Sequence, residues 1–387
     1  YLDIHAINTG RGESTFFILP DGTTMLVDAG HTATTAPTSV AKPDDSRSPG
    51  EWTARYINHM MKDMGPKKLN YIVVTHFHWD HMGNYNTSLP MSSLGNFRIS
   101  GITEIPEHIP FGTLLDRNWP DYNYPEILDF DGRMNNYKSF IQWHIQNKNA
   151  SAEQFVAGRN DQIVLKKKPS EFPEFEIRNI AVNGNVWTGE GSDAESHFPD
   201  IEYLRENEAS YIATGGFENN ASIAFLVSYG DFDYFTGGDL SFRGAHTGRT
   251  EDQWKNIELP VAMVTGEVDA MKANHHAAWD CNSSQFLNSL RPRVIVVHTC
   301  RNDQPSPEGV SRLTSTQTYP GQRDVFVTNV LPEARIAIGA DASKLTSQQG
   351  HVVIRVQPGG DTYKVYVIND SDERFIVKEE YGPYNSK

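Results

Sequence analysis

Cysteine is almost absent from these 387 residues, occurring only as Cys281 and Cys300. Two cysteines exclude a disulfide framework and every Cys-rich zinc pattern, leaving either a single bridge or two buried thiols. Long apolar runs are missing as well. No stretch approaches the roughly 18 residues of a spanning helix, so no membrane span is expected. Positive charge is thin: 34 Lys and Arg stand against 49 Asp and Glu, a net charge of −15. Such a surface repels phosphate backbones, which argues against extended nucleic acid as a partner. The densest basic run, Lys166-Lys167-Lys168, reads as a solvated loop. Internal repeats, low-complexity tracts and an initial methionine are also lacking. Tyr1 begins directly in a strand-like pattern, which fits a trimmed chain or a mature one after signal removal. A soluble protein is expected, secreted, periplasmic or cytoplasmic, in an unknown oligomeric state. The rest of the composition, 38% hydrophobic and 21% charged, is that of an ordinary globular protein.

What is present is concentrated in Tyr71 to Asn84, YIVVTHFHWDHMGN. Tyr71, Ile72, Val73 and Val74 read as a short buried strand. The run then breaks into four metal-binding side chains within six positions: His76, His78, Asp80 and His81. Residues two apart on an extended backbone point to one side, so His76 and His78 share a face and Asp80 continues it. His81 adds a nitrogen donor as the chain turns into a helix. Imidazole with carboxylate suits zinc, and manganese or iron less well.

Three further strand ends carry donors. Leu2, Ile4 and Ala6 alternate, Ser14 to Leu19 forms a strand, and a turn at Pro20-Asp21-Gly22 returns it through Thr24-Met25-Leu26-Val27 to Asp28-Ala29-Gly30. Asp28 is either a turn residue or a carboxylate that orients a metal ligand. His31 follows, near the site or solvated. The strand Phe232–Thr236 ends in Gly237-Gly238-Asp239, and Val261 to Lys272 leads into Ala273-Asn274-His275-His276. Between these, residues 31–50 read as a loop, and Glu51 to Met64 as a helix entered through Ser48-Pro49. From Met82 to Ile212 the chain is irregular and aromatic, with helices expected at 136–148 and 152–157, and strands at 162–165 and 176–182. Residues 98–215 are expected to be an insertion or lid within one domain spanning 1–387.

This ordered set of donors resembles the metallo-β-lactamase superfamily over nearly the whole chain. More narrowly it looks like the branch containing the ComEC competence-protein hydrolase domain and the bacterial phosphorylcholine esterases. The likeness lies in INTGRGEST…LPDGTTMLVDAG, ENNASIAFLVSYGDFDYFTGGDL, MKANHHAAWDCNSSQFLNSLRPRVIVV and PSPEGVSRL. The resemblance implies an α/β fold, a four-layer αβ/βα sandwich of two mixed β-sheets with its site at one edge. It implies two zinc ions, with manganese or iron as alternatives. His76 and His78 would hold the first; Asp80, His81 and either His275 or His276 the second; Asp239 would bridge them. Asp80, His81 and Asp239 would thereby be the catalytic set. The function implied is hydrolysis of a small phosphoester or phosphodiester by a hydroxide shared between the ions. A lactone or β-lactam hydrolase on the same site, or a non-catalytic metal-stabilised binding protein, are the alternatives. One departure stands out: where the superfamily supplies a third histidine to the first metal, this chain has Glu218-Asn219-Asn220. Glu218, water or His197 would then complete that ion, with Asn219 or Asn220 nearby. His298 is expected to be a hydrogen-bonded strand terminus. Trp79 and Trp279 either pack in the core or face the cleft. In the second case Trp119, Tyr122 or Tyr124 from the insertion would complete an aromatic wall suited to a sugar or a quaternary ammonium.

Overall fold

The structure, a computed structural model, describes residues 1–33, 37–129 and 132–387, the side chains of 245 and 246 excepted. Residues 34–36 of the expected 31–50 loop and 130–131 of the expected insertion thus lie outside it. The chain opens with the antiparallel strands β1 (Leu2–Ala6), β2 (Thr15–Ile18) and β3 (Thr24–Val27). Helix α1 (Pro49–Met60) carries it to β4 (Leu69–Val74), parallel to β3. A single turn, α2 (Trp79–Met82), follows. Strand β5 (Phe111–Asp116), helix α3 (Arg133–Lys148) and strand β6 (Ser151–Gln154) extend the parallel part.

The second sheet begins with β7 (Phe175–Val182), β8 (Asn185–Trp187) and β9 (Ala194–Ser196). Three short helices come next, α4 (Ile201–Asn207), α5 (Ala209–Ala213) and α6 (Gly216–Asn220), then β10 (Ala224–Tyr229) and β11 (Phe232–Thr236). Helices α7 (Gly244–Thr247) and α8 (Glu258–Thr265) precede β12 (Ala270–Lys272), and α9 (Ser284–Leu290) precedes β13 (Val294–Val297). After α10 (Pro307–Thr314), β14 (Asp324–Val327) and α11 (Pro332–Ile338), the strands β15 (His351–Val356), β16 (Thr362–Ile368) and β17 (Val377–Asn385) return to the first sheet. The orders are β17-β16-β15-β1-β2-β3-β4-β5-β6 and β14-β13-β12-β11-β10-β7-β8-β9, both mixed.

The apolar runs explain the layering. In β4, Tyr71 and Val73 point into the core between the sheets, and Ile72 and Val74 into the layer that holds α1 and α3. In β13, Val294 and Val296 face the same central core, and Ile295 and Val297 the layer of α8 to α11. A strand buried on both faces must be apolar at every position, which is why these runs do not alternate. Helix, sheet, sheet, helix is the four-layer sandwich expected.

Residues 98–215 contribute β5 to β9 to the two sheets. The helix expected at 152–157 is instead β6, because Ser151 to Gln154 complete the parallel edge beside β5. Tertiary pairing here overrides the helix preference of Ala-Glu-Gln. No strand forms at 162–165. Among the described residues no helix is long and apolar enough to cross a membrane. Cys281 and Cys300 are both buried free thiols.

Candidate metal centre

Strand β4 delivers His76, and the chain then bends through Phe77 and His78 into α2. The turn is pinned by the first hairpin. The carbonyls of Trp79, Asp80 and His81 accept N–H bonds from His31, Glu13 and Ala29, at 2.9, 2.8 and 2.8 Å. A Cβ at Gly30 would lie 1.9 Å from the Asp80 carbonyl, so only glycine permits this approach. Asp28, in a left-handed conformation with φ 58°, aims its carboxylate at the same turn. It accepts from the Thr75 N–H at 2.8 Å, the Thr75 hydroxyl at 2.7 Å and His81 Nδ1 at 2.8 Å. His81 is thereby fixed with Nδ1 protonated and Nε2 turned to the site.

The facing side comes from the ends of β11 and β12. Asp239 follows Gly237-Gly238, its N–H donating to Ser222 Oγ at 3.1 Å. Beyond β12, His275, His276 and Ala277 all have positive φ, 42°, 52° and 55°. Buried Glu258 holds this loop, accepting from Asn274 Nδ2 at 2.9 Å, the Ser283 N–H at 2.8 Å and the Asn282 N–H. His276 Nδ1 donates to the His298 carbonyl at 3.1 Å, and His275 Nδ1 to Asp280 Oδ1 at 2.9 Å.

Everything converges on one oxygen. Asp239 Oδ2 lies 3.2 Å from His81 Nε2, 3.5 Å from His276 Nε2, 3.8 Å from His76 Nε2 and 4.0 Å from His275 Nε2. His76 Nε2 is 3.1 Å from His78 Nδ1, and Asp80 Oδ2 is 3.4 Å from His276 Nε2. Donors sharing a tetrahedral ion at bond lengths of about 2.1 Å stand about 3.4 Å apart. His81 Nε2 and His276 Nε2 face each other at 3.2 Å while each ring spends its Nδ1 proton elsewhere. Two nitrogen lone pairs so close require a proton or a cation between them, so the donor set fits a metal. The other carboxylate oxygen, Asp239 Oδ1, faces the ammonium of fully buried Lys272 at 3.7 Å. Lys272 also meets Glu13 Oε2 at 3.1 Å and donates to the Gly238 carbonyl.

Electrostatics divide the histidines. Burial pushes His76 well below its ordinary value, with the charge on His81 adding to it, and burial likewise lowers His78. Burial is the largest single influence on His81 and His276 too and opposes their charged forms, yet the carboxylates around them, Asp239 foremost, together outweigh it. With Asp28 beside one ring and Asp80 beside the other, His81 rises well above its ordinary value and His276 to about 10. Burial alone would raise Asp239, but the His81 and His276 charges hold it well below the carboxylate range. A metal taking these nitrogens displaces their protons, so its affinity climbs with pH.

The cleft above the cluster has a volume of about 720 Å³ and is lined by His78, Asp80, Asn219, Asp239 and His275, with Trp79, Trp279 and Arg301 on its walls. Trp79 and Trp279 are 39% and 45% exposed and so do not pack in the core. The insertion aromatics are elsewhere. Tyr122 is buried against Phe77 and donates to Asp116 Oδ2 at 2.7 Å, while Trp119 and Tyr124 line a different cavity. Of the aromatic residues expected over the cleft, Trp79 and Trp279 line it.

Three of the residues expected near the first metal are engaged otherwise. Glu218 accepts from the Phe77 N–H at 2.7 Å and pairs with fully buried Arg117, so it orients the His76–His78 backbone. Asn220 is consumed by Ser241, Tyr211 and the Lys255 carbonyl. His197 lines a separate cavity beside Trp254. His31 bonds Ser100 Oγ through Nδ1 at 3.1 Å, and the His298 ring meets Thr15 Oγ1 at 3.1 Å, leaving its carbonyl as the part that serves the site. The sequence reading missed Glu13, Lys272, Glu258, Asp280 and Arg117. A lysine at the end of an otherwise apolar strand, Ala270-Met271-Lys272, was the one visible signal, since a buried ammonium demands a carboxylate partner.

Among the described residues, two sets of ligand atoms lie within 4.8 Å of one another around Asp239: His76 with His78, and Glu13 with His81 and His276. No curated protein matches the chain. Among solved structures, it is similar to a Parabacteroides distasonis ATCC 8503 chain provisionally named a metal-dependent hydrolase. The TM-score is 0.38 at 10% identity, covering 84% of this chain and 92% of that one. Over residues 8–87, which run from the end of β1 through the turn bearing Asp80 and His81, the chain matches the family model of the metallo-β-lactamase superfamily, and its two mixed sheets are consistent with that superfamily's sandwich.

Proposed function

We propose that this chain is a metal-dependent hydrolase of small phosphoesters, with phosphodiesters as the leading class. The observation that carries the reading is the meeting of imidazole nitrogens on the single oxygen Asp239 Oδ2, at the floor of an open cleft. Two divalent cations bound there, zinc first by donor type, would supply Lewis acidity to a phosphoryl oxygen and lower the pKa of a shared water. His76, His78 and Asp239 would hold one, and Asp80, His81, His276 and Asp239 the other. Asp28 and the His298 carbonyl keep two of these rings in the ligating tautomer. Arg301 on the cleft wall is paired with Asp303 at 3.1 Å. A purely structural metal would be enclosed by protein, whereas His78 and Asp80 here line an open cleft through which a substrate could enter.

The cleft suits a small molecule with an apolar or cationic group against tryptophan. Arg243 already sits 5.5 Å from the Trp279 ring centre, so a quaternary ammonium would stack on Trp79 in preference. Contacts of this kind are worth about 0.5–2 kcal/mol, roughly a 2- to 30-fold effect. Trp79→Ala is therefore expected to raise KM for p-nitrophenyl phosphorylcholine by that factor and to leave bis-p-nitrophenyl phosphate nearly unchanged. Equal responses of both substrates in Trp79→Ala and Trp279→Ala would make the rings scaffold. A wider panel adding a lactone and a β-lactam, run with and without chelator, tests the reaction class itself. Turnover of the carbonyl substrates alone would replace the phosphoester reading, and none with any substrate would favour a binding protein.

Extended nucleic acid is not a partner in this reading. With a net charge of −15, negligible binding to long DNA is expected at moderate salt. A salt titration giving sub-micromolar affinity for single-stranded DNA would contradict it.

A further inference from the structure

We infer that His275 is the third imidazole of the first metal, so that the two adjacent histidines serve one ion each. The inference rests on the metal-dependent reading above and deepens it. His76, His78 and Asp239 offer three donors, and the neighbouring groups that could add a fourth are mostly committed. Glu218 is held by Arg117, Asn220 by Ser241 and Lys255, and His197 lines another cavity. Asn219 and His275 remain, both lining the cleft.

The arrangement of His275 is that of a ligand. Its Nδ1 donates to the Asp280 carboxylate at 2.9 Å, so its Nε2 accepts from Asn219 Nδ2 at 3.3 Å and stands 4.0 Å from Asp239 Oδ2, in place to exchange that amide for a cation. Metal-bound histidines are characteristically backed in this way by a carboxylate or carbonyl, and His276 has the equivalent support from the His298 carbonyl. Three successive left-handed residues, costly for side chains with a Cβ, turn the two rings apart, with centroids 6.2 Å from each other and planes at 57°. One strained turn thus sends two nitrogens to the same Asp239 oxygen, at 4.0 and 3.5 Å. Asn219 offers only a neutral amide oxygen, a weaker donor than a carboxylate-backed imidazole.

The test counts metal ions. His275→Gly and His276→Gly suit the positive φ of both positions, so the fold should survive, as circular dichroism and thermal melting would check. After chelator stripping, reloading with Co2+ and gel filtration, wild type should retain two equivalents and each variant one, with distinct visible absorption spectra because different sites remain filled. Asp280→Asn should still take up two but bind the first ion about 10- to 100-fold more weakly. Two equivalents with an unchanged spectrum in His275→Gly would overturn the assignment and make His275 a substrate contact if turnover nevertheless fell. A wild type holding one equivalent would overturn it as well. Should His275→Gly not fold, an unchanged first-ion affinity in Asp280→Asn would do so instead. A wild type that binds two ions yet hydrolyses nothing in the panel defeats the hydrolase reading and leaves this assignment standing.

Discussion

Asp239→Ala is expected to abolish phosphoester hydrolysis, by about 10³-fold or more, equivalent to roughly 4 kcal/mol of lost transition-state stabilisation. The size follows from position. Asp239 Oδ2 lies within 4 Å of a ring nitrogen of His76, His81 and His276 alike, so on the proposed reading its loss would remove a donor from both ions and the negative charge between them. The fold should largely persist, because the Asp239 N–H to Ser222 Oγ bond belongs to the main chain and Lys272 keeps Glu13 as its counter-ion. Asp80→Ala should behave similarly through the second ion, since Asp80 Oδ2 faces His276 Nε2 at 3.4 Å. The measurement is kcat with the phosphoester panel, alongside bound metal and a thermal melt. Full activity in Asp239→Ala would end the shared-carboxylate mechanism.

The largest stability effect should come from Arg117→Met. The Arg117 side chain is wholly buried, and its Nε donates to Glu218 Oε1 at 2.8 Å. Its Nη1 donates to Asn183 Oδ1 and the Tyr124 carbonyl at 3.0 and 3.2 Å, and its Nη2 to Glu218 Oε2. Removing one partner of a buried pair strands the other's charge, at a cost of about 3–5 kcal/mol. Arg117→Met with Glu218→Gln should recover much of that, because the amide oxygen can still accept the Phe77 N–H while no buried charge remains. Equal destabilisation by single and double variants in denaturant titrations would contradict this account. Burial alone would raise the Glu218 carboxyl, but Arg117 outweighs it and holds it below its ordinary value. The folded state therefore prefers the ionised form. Its contribution is fully present above the unfolded value and is lost as pH falls through the lower native one. Wild type should lose more stability on acidification than the double variant. Metal affinity should fall in Arg117→Met as well, because the Phe77 N–H lies on the main chain between His76 and His78, the two proposed ligands.

Much of the site was legible because metal chemistry restricts residue type and strands restrict direction. His76, His78, Asp80 and His81 stand at the end of an unbroken apolar strand, and that pattern has few other uses. Asp28 and Asp239 were readable from a carboxylate beside glycine at a strand end. The supporting residues were not, since their roles arise only when distant segments meet: Glu13 reaches Lys272 across 259 positions of sequence, and Arg117 reaches Glu218 across 101. The expected helix at 152–157 failed for a related reason. Its residues favour helix locally, and the sheet edge they pair with is visible only in three dimensions.

Apolar runs and strand-end donors, by themselves, determined buried strands with candidate His and Asp ligands on their ends, and the α/β class followed from the family resemblance. Local chemistry suffices for the strands, because burial on both faces dictates residue type strand by strand. Tertiary structure alone decided which candidates converge. It set Asp239 with a single oxygen toward four imidazoles and the other toward Lys272, engaged Glu218 and Asn220 in other bonds, placed His197 beside another cavity, and turned Trp79 and Trp279 into the cleft while burying Tyr122. These outcomes depend on distances between side chains set by sheet packing and by a left-handed turn at His275–Ala277, which no spacing along the chain encodes.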